Sequence, residues 1–170
     1  MLKKPYSYHD LLSRPIKNPT SPLDKQIEGG VCLWLVKRVD SELYVLFQKR
    51  ALSVTNGGLF DASAGGHIDA GEDALAAVLR ETKEELGLSL KDSDLRFLFS
   101  FMTDNRFISV YLSDRTQKDN QFILDSAEVD SVEWIALKDL DSFAKKFVKP
   151  SLLKKSLHLE NLKFYLTHYL

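Results

Sequence analysis

Hydrophobic residues along the chain fall into short runs that polar and glycine-rich segments separate. Five of these runs are rich in strand-forming residues: 31–36, 43–47, 95–102, 107–112 and 131–136. The first two flank a polar stretch and predict a β-hairpin, and a further short strand is predicted where the glycine-rich loop 53–58 ends in Leu-Phe-Asp. The pattern therefore predicts a protein in which β-structure forms the centre.

Three other segments carry apolar residues at helical spacing. Between residues 73 and 86 the apolar positions are Leu75, Val78, Leu79, Thr82 through its methyl group, and Leu86. Gly87 is placed to end this helix as a C-cap. Residues 138–148 predict a second helix that stops at Pro150, and the last segment carries an apolar stripe of Leu162, Tyr165, Leu166 and Tyr169.

The order of strands and helices predicts the fold class and the domain organisation. Strands, a glycine turn, a helix, more strands and then further helices predict an α/β (α+β) fold, an α-β-α sandwich with helices on both faces of a mixed sheet. Residues 1–28 hold four of the five prolines and predict an irregular arm. Residues 29–148 form the expected domain. Residues 149–170 are expected to form an amphipathic helix that packs on this domain or on a partner, and a homodimer is therefore possible.

Composition and charge exclude several classes of protein. Hydrophobic residues make up 44% and charged residues 28% of the chain, which is typical of a globular protein. With 23 Lys and Arg against 24 Asp and Glu there is no basic field for a nucleic-acid polymer. The longest apolar run is six residues and no secretory signal precedes it, so we expect no membrane span and a cytoplasmic location.

Cysteine and three of the four histidines are expected to have no part in the chemistry. The single cysteine, Cys32, lies in an apolar run and predicts a buried thiol, which excludes a cysteine-based zinc site. His9, His158 and His168 have no partner pattern and are predicted to lie at the surface.

Acidic residues are concentrated around the first predicted helix. Residues 69–85 contain six acids and two bases, and Glu81, Glu84 and Glu85 stand at i, i+3 and i+4. This spacing predicts three carboxylates on one helix face, opposite the apolar set. Carboxylates so close repel one another unless a cation is present, and oxygen ligands alone suit Mg²⁺, with Mn²⁺ as an alternative. Arg80 could pair with one of these acids.

The segment GHIDAGEDALAAVLRETKEELGL, residues 66–88, resembles the Nudix box. That pattern is Gly, five residues, Glu, seven residues, Arg-Glu, a hydrophobic residue, any residue, Glu-Glu, any residue, Gly and a hydrophobic residue. Eight positions match at the required spacing: Gly66, Glu72, Arg80, Glu81, Glu84, Glu85, Gly87 and Leu88. Thr82 departs from the pattern at the internal hydrophobic position. The predicted order of elements extends the resemblance to about residues 29–148.

The resemblance implies a Mg²⁺-dependent hydrolase that cleaves a diphosphate linkage in a small molecule, either a nucleoside diphosphate linked to another moiety or another organic diphosphate. The implied metal ligands are Glu81, Glu84, Glu85 and the carbonyl of Gly65. The implied catalytic residues are Arg80, Glu81 and Glu84, and Gly66, Glu72 and Gly87 have structural roles. Outside the box, a base or ligand could come from Glu128, Asp130 or Glu133. Substrate contacts could come from Arg50, from Glu128 or from His67, which follows the first glycine of the box.

Two rival functions remain open from the sequence. Isopentenyl-diphosphate isomerase, which shares the Nudix fold, has Cys-Gly-His where this chain has Gly65-Gly66-His67. Because that enzyme requires its cysteine for proton transfer to carbon, the glycine favours hydrolysis, although the similarity suggests a hydrolase branch close to the isomerase. A non-catalytic ligand-binding module is the second rival, and loss of a box carboxylate would be its mark. None is lost here.

Overall fold

The structure, a computed structural model, describes residues 28–102, 106–115, 122–148 and 157–170. The predicted arm up to residue 27, His9 and the helix stop at Pro150 lie outside these residues. The described strands are β1 (Glu28–Val39), β2 (Glu42–Arg50), β3 (Phe60–Asp61), β4 (Arg96–Met102), β5 (Arg106–Ser113) and β6 (Val129–Ala136). The described α-helices are α1 (Ala74–Leu86), α2 (Leu140–Phe147) and α3 (Leu157–Tyr169).

The strands form one mixed sheet in the order β3-β2-β1-β5-β4, and β6 also pairs with β2. Strands β1 and β2 form the predicted antiparallel hairpin, whereas β1 and β5 are parallel. The segment after β3 continues along β1, where the amide nitrogens of Val31 and Leu33 donate to the carbonyls of Gly66 and Ala64 at 2.9 and 2.8 Å. The glycine turn of the box is therefore attached directly to the central strand.

Alternating side chains of β1 divide the core between the two faces of the sheet. Val31, Leu33 and Leu35 pack on one face with Ala77 and Val78 of α1. The residues between them pack on the other face with α2 and α3: Cys32, Trp34 and Val36. One helix on one face and two on the other make the predicted α-β-α sandwich, and the fold class is confirmed.

Helix α1 begins and ends as the sequence predicts, but its buried face differs. Asp73 is the N-cap and accepts from the amide of Ala76 at 2.8 Å, and Gly87 caps the C-terminus with φ +65°. The buried face contains Ala74 and Ala77 in addition to the larger apolar residues, and it also contains Glu85. The prediction that the three glutamates all lie opposite the apolar face is therefore wrong for Glu85.

The C-terminal helix α3 packs on its own domain through a histidine that the sequence placed at the surface. His158 is 2% exposed, and the indole Nε1–H of Trp34 donates to its Nε2 at 2.8 Å. The surface prediction for His158 is wrong, because the ring fills an apolar site and satisfies the buried indole N–H. His168 on the same helix is exposed, as predicted. None of the described helices is long and apolar enough to span a bilayer.

Candidate active site

Arg80 is the centre of the ion-pair network on helix α1. Its guanidinium donates to Glu72 at 2.9 and 3.1 Å, to Glu81 at 2.9 Å and to Glu84 at 3.0 Å. It also donates to the backbone carbonyl of His67 at 3.0 Å. The sequence predicted one acidic partner for Arg80, and the structure gives it three direct ones together with a link to the glycine turn. Arg80 therefore fixes the box acids relative to one another and to this turn.

The pKa of Glu72 is lowered, whereas the pKa values of Glu81 and Glu85 are raised. The hydrogen bond from Arg80 holds the pKa of Glu72 below its usual value, and the same bond raises the pKa of Arg80. Glu72 also accepts from the backbone amide of Asp69 at 3.1 Å. Glu72 thus stays ionised and ties the turn before α1 to the helix, in keeping with the structural role expected for it.

Glu85 is a buried carboxylate beside the glycine turn. The backbone N–H of Gly65 donates to its Oε2 at 2.8 Å, and the amide of Gln48 on β2 donates to both carboxylate oxygens at 3.2 and 3.3 Å. Burial raises the pKa of Glu85 to about 8 despite these bonds. Because an ionised carboxylate at 3% exposure needs more positive charge than two neutral donors provide, this position favours a bound cation.

Glu81 lies against the bare α-carbon of Gly66. A Cβ atom at residue 66 would stand 2.1 Å from Oε1 of Glu81, so any side chain there would displace the carboxylate from this position. Burial raises the pKa of Glu81 although Arg80 opposes this, and the nearby charges of Glu84 and Glu128 raise it further. The spacing of the box therefore reflects a direct steric contact between its first glycine and its second glutamate.

The donor set fits a hard divalent cation. It consists of the carboxylates of Glu81, Glu84 and Glu85 and the peptide of Gly65, all of which offer oxygen. Within the described residues no three acidic, histidine or cysteine side chains converge into a ready-made metal site. The guanidinium of Arg80 pairs with Glu81 and Glu84, whereas Glu85 is held by Gln48 and the Gly65 N–H. Glu81 and Glu85 have raised pKa values, and a bound cation would stabilise their ionised forms.

Three residues were predicted from the sequence to contact the substrate: Arg50, His67 and Glu128. Glu128 is exposed and lies close enough to Glu81 for its charge to raise the pKa of that residue, so the fold brings it to the box. Arg50 is held by Asp61 at 3.3 Å and by the carbonyl of Thr55 at 2.8 Å. The side chain of His67 is 58% exposed and turns toward Glu28.

The two remaining acids proposed from the sequence, Asp130 and Glu133, have other contacts in the structure. Asp130 pairs with Lys49 at 3.2 Å. Glu133 lines a groove with Phe143 and Phe147 of α2, on the face of the sheet opposite α1. For Glu133 this position is on the other side of the sheet from the box, and the role of Asp130 as a ligand or base stays a prediction.

Two polar residues near Glu85 were missed from the sequence. Gln48 is 1% exposed in an otherwise apolar strand, and an amide in such a run is a signal that could have been used. Asp61 is 7% exposed, pairs with Gln48 in the β2–β3 register, and its charge contributes to the raised pKa of Glu85. Nothing in the sequence marks Asp61, because its position depends on the pairing of β3.

Comparison with known proteins agrees with this geometry. A family model described as the NUDIX domain matches residues 28–155. An uncharacterized Nudix hydrolase of Clostridium acetobutylicum is 32% identical over 119 residues, which are 65% of this chain and 57% of that protein. Nudix hydrolase 3 of Arabidopsis thaliana is 30% identical over 101 residues, which are 52% of this chain and 13% of that protein. The chain thus spans little more than half of the first relative and a small part of the second.

A solved structure with a similar fold is the NUDIX domain of Shewanella oneidensis NrtR, complexed with ADP ribose. It matches with a TM-score of 0.65 at 19% identity, over 88% of this chain and 94% of that one. At this identity the likeness concerns the fold. Because the family model covers more than half of the sequence and the box keeps every carboxylate and its arginine, the chain belongs to the Nudix family.

Proposed function

We propose that this protein is a divalent-metal-dependent pyrophosphohydrolase. Its proposed substrate is a nucleoside diphosphate linked to another moiety, or another organic diphosphate. The observation that carries the proposal is the state of Glu85, a buried carboxylate with a raised pKa that is held beside Gly65 within an intact Nudix box. In its ionised form a buried acid of this kind is costly unless a positive charge such as a bound cation lies beside it.

Glu81, Glu84, Glu85 and the carbonyl of Gly65 would hold Mg²⁺, with Mn²⁺ as an alternative. When bound, the cation supplies neutralisation of the negative charge that develops on the diphosphate oxygens. The protein's contribution is to hold the carboxylates in place. Gln48 and the Gly65 N–H orient Glu85, and Arg80 orients Glu81 and Glu84.

Proton transfer from the attacking water requires a carboxylate near the box. Glu81 and Glu84 are the candidates on α1, and Glu128 is the candidate outside it, since its charge reaches Glu81. Arg80 is a positioning residue in this scheme, because it acts on the substrate through the acids it holds. Arg50 is a weaker candidate for a substrate contact, because Asp61 and Thr55 occupy its guanidinium.

Isomerisation of a prenyl diphosphate is disfavoured by the position of the cysteine. Cys32 is buried and its side chain belongs to the core on the face opposite α1, where its Sγ lies 3.6 Å from Nε2 of His158. Residue 65, where the isomerase carries its cysteine, is glycine, and a Cβ there would stand 2.5 Å from the carbonyl of Val31. The Gly65-Gly66-His67 segment still supports a hydrolase branch close to that enzyme.

A binding function without catalysis is the other rival. The NrtR domain, whose structure contains ADP ribose, provides a precedent for a Nudix fold with a bound nucleotide derivative. The complete set of box carboxylates in this chain favours catalysis over binding alone. ADP ribose is accordingly a ligand that the substrate screen should include.

The test is a hydrolysis screen of the purified protein. Nucleotide sugars, ADP ribose, dinucleotides, nucleoside triphosphates and isopentenyl diphosphate are incubated in Mg²⁺, in Mn²⁺ and in EDTA, and products are identified by ³¹P NMR. We expect cleavage of at least one diphosphate linkage that EDTA abolishes and that the Glu84→Gln/Glu85→Gln variant lacks. If the wild type cleaves nothing beyond that variant, the hydrolase proposal fails. Formation of the allylic isomer would establish the rival instead.

A further inference from the structure

Three side chains that are not among the conserved positions of the box meet where β1 and β5 begin: Glu28, His67 and Arg106. Nη2 of Arg106 and Nε2 of His67 lie 3.1 and 3.6 Å from the same oxygen, Oε2 of Glu28. Glu28 and Arg106 stand opposite each other in the parallel β1–β5 register. The guanidinium and the imidazole thus both lie close to a single carboxylate oxygen, and basic side chains gathered on one oxygen are how proteins bind a phosphate or carboxylate group.

Two glycines connect this cluster to the box. The aliphatic stem of Arg106 crosses the bare α-carbon of Gly30, where a Cβ would stand 3.1 Å from Cδ of Arg106 and 3.4 Å from the carbonyl oxygen of Gly66. Gly66 in turn contacts the carboxylate of Glu81, and the carbonyl of His67 accepts from Arg80. Arg106 and His67 therefore adjoin the residues that carry the proposed chemistry, and no side chain stands at either glycine between them.

The arginines near the box differ in the acids that hold them. Arg80 is surrounded by three box carboxylates, and Arg50 is held by the buried Asp61. Arg106 and His67 share the carboxylate of Glu28, which is 44% exposed and can turn into solvent at small cost. An anionic substrate that approaches this acidic site would thus meet Arg106 and His67 as an exchangeable pair of donors.

We propose that Arg106 and His67 form an anion subsite beside the Nudix box, which the carboxylate of Glu28 occupies until substrate displaces it. The occupant is an anionic group of the substrate, a phosphate or carboxylate outside the linkage that is cleaved. Glu28 acts as an internal competitor that keeps the pair ordered. The inference rests on the proposed function for the identity of the occupant, but anion binding itself can be measured without turnover.

The test uses inorganic phosphate as the probe, in EDTA and at constant ionic strength, with binding measured by isothermal titration calorimetry. Removal of the competing charge in Glu28→Gln should tighten phosphate binding about fivefold, the equivalent of about 1 kcal/mol for a partly exposed charge pair. Adding Arg106→Gln to that variant should abolish the gain. Arg115→Gln is the matched control, because Arg115 also pairs with an acid, Asp94 at 3.3 Å, at the other end of β5 from Arg106.

The results separate the subsite from the proposed reaction. Equal phosphate affinity in the wild type and Glu28→Gln, or equal affinity with and without Arg106, would overturn the subsite whatever the enzyme hydrolyses. For any substrate found in the hydrolysis screen, Arg106→Gln should raise KM about tenfold with kcat within about threefold of the wild type. If the screen finds no substrate, the proposed function fails while the phosphate titration still decides the subsite.

Discussion

At the scale of single residues, the box depends on close contacts that a consensus pattern does not reveal. Gly66 is required because the carboxylate of Glu81 occupies the space of a side chain, and Glu85 is buried between Gly65 and Gln48. Arg80 holds three acids and the glycine turn together. The sequence could predict which residues belong to the box. It could not predict the burial and hydrogen bonds of each one, because these depend on the strands that pack against α1.

Replacement of Gly66 by alanine tests the contact with Glu81. The new methyl group would stand within 2.1–2.6 Å of the carboxylate and displace it, so kcat should fall about 10- to 100-fold, as expected for a misplaced catalytic group. Stability in chemical denaturation should change little, since Glu81 can turn toward solvent. Steady-state kinetics on the best substrate of the screen measures the effect.

Gly71→Ala is the matched control for this substitution. Gly71 has φ +88° and nothing within 4 Å of its Cβ position, so alanine there strains the backbone by about 1–3 kcal/mol without touching Glu81. We expect Gly71→Ala to lower stability and keep kcat, the reverse of Gly66→Ala. A Gly66→Ala enzyme with wild-type kcat would show that the contact has no catalytic importance.

At the scale of elements, periodicity located the strands and helices because each buries one face. The β1–β2 hairpin and helix α1 follow directly from the spacing of the apolar residues and from the Gly87 C-cap, whereas the Asp73 N-cap was not predicted. The buried face of α1 was predicted less well. Small residues such as Ala74 and Ala77 form the contact with the sheet, whereas Leu75 is only partly buried. A pattern weighted toward large apolar residues therefore placed Glu85 on the wrong face.

Helix α3 provides a prediction at this scale. His158→Ala should lower the free energy of unfolding by about 2–4 kcal/mol, because it opens a cavity and leaves the Trp34 indole N–H without its acceptor. Since His158 lies on the face opposite α1, kcat/KM should stay within about twofold of the wild type. Urea denaturation followed by tryptophan fluorescence measures the stability.

His168→Ala controls for the loss of a histidine from the same helix. His168 is exposed, so its removal should cost less than about 0.5 kcal/mol. If His158→Ala is as mild as His168→Ala, the buried indole contact does not fasten α3 to the domain.

At the scale of the whole molecule, the sheet separates the box from most of the aromatic core. One face carries α1 and the box, and the other carries α2, α3 and the larger part of the aromatic core. The sequence could predict this layered architecture and the box itself, because both rest on local spacing. It could not predict that Gln48, Asp61, Arg106 and Glu28 gather around the box, since each arrives through strand pairing between distant segments.

The central claim is that the box carboxylates form a divalent-cation site, and Mn²⁺ binding tests it most directly because no substrate is needed. Electron paramagnetic resonance of free Mn²⁺ is measured for the wild type, for Glu85→Gln and for Glu133→Gln, whose acid lies on the opposite face. We predict that Glu85→Gln weakens Mn²⁺ binding at least about tenfold, whereas Glu133→Gln binds as the wild type does. Equal binding by wild type and Glu85→Gln would contradict the account.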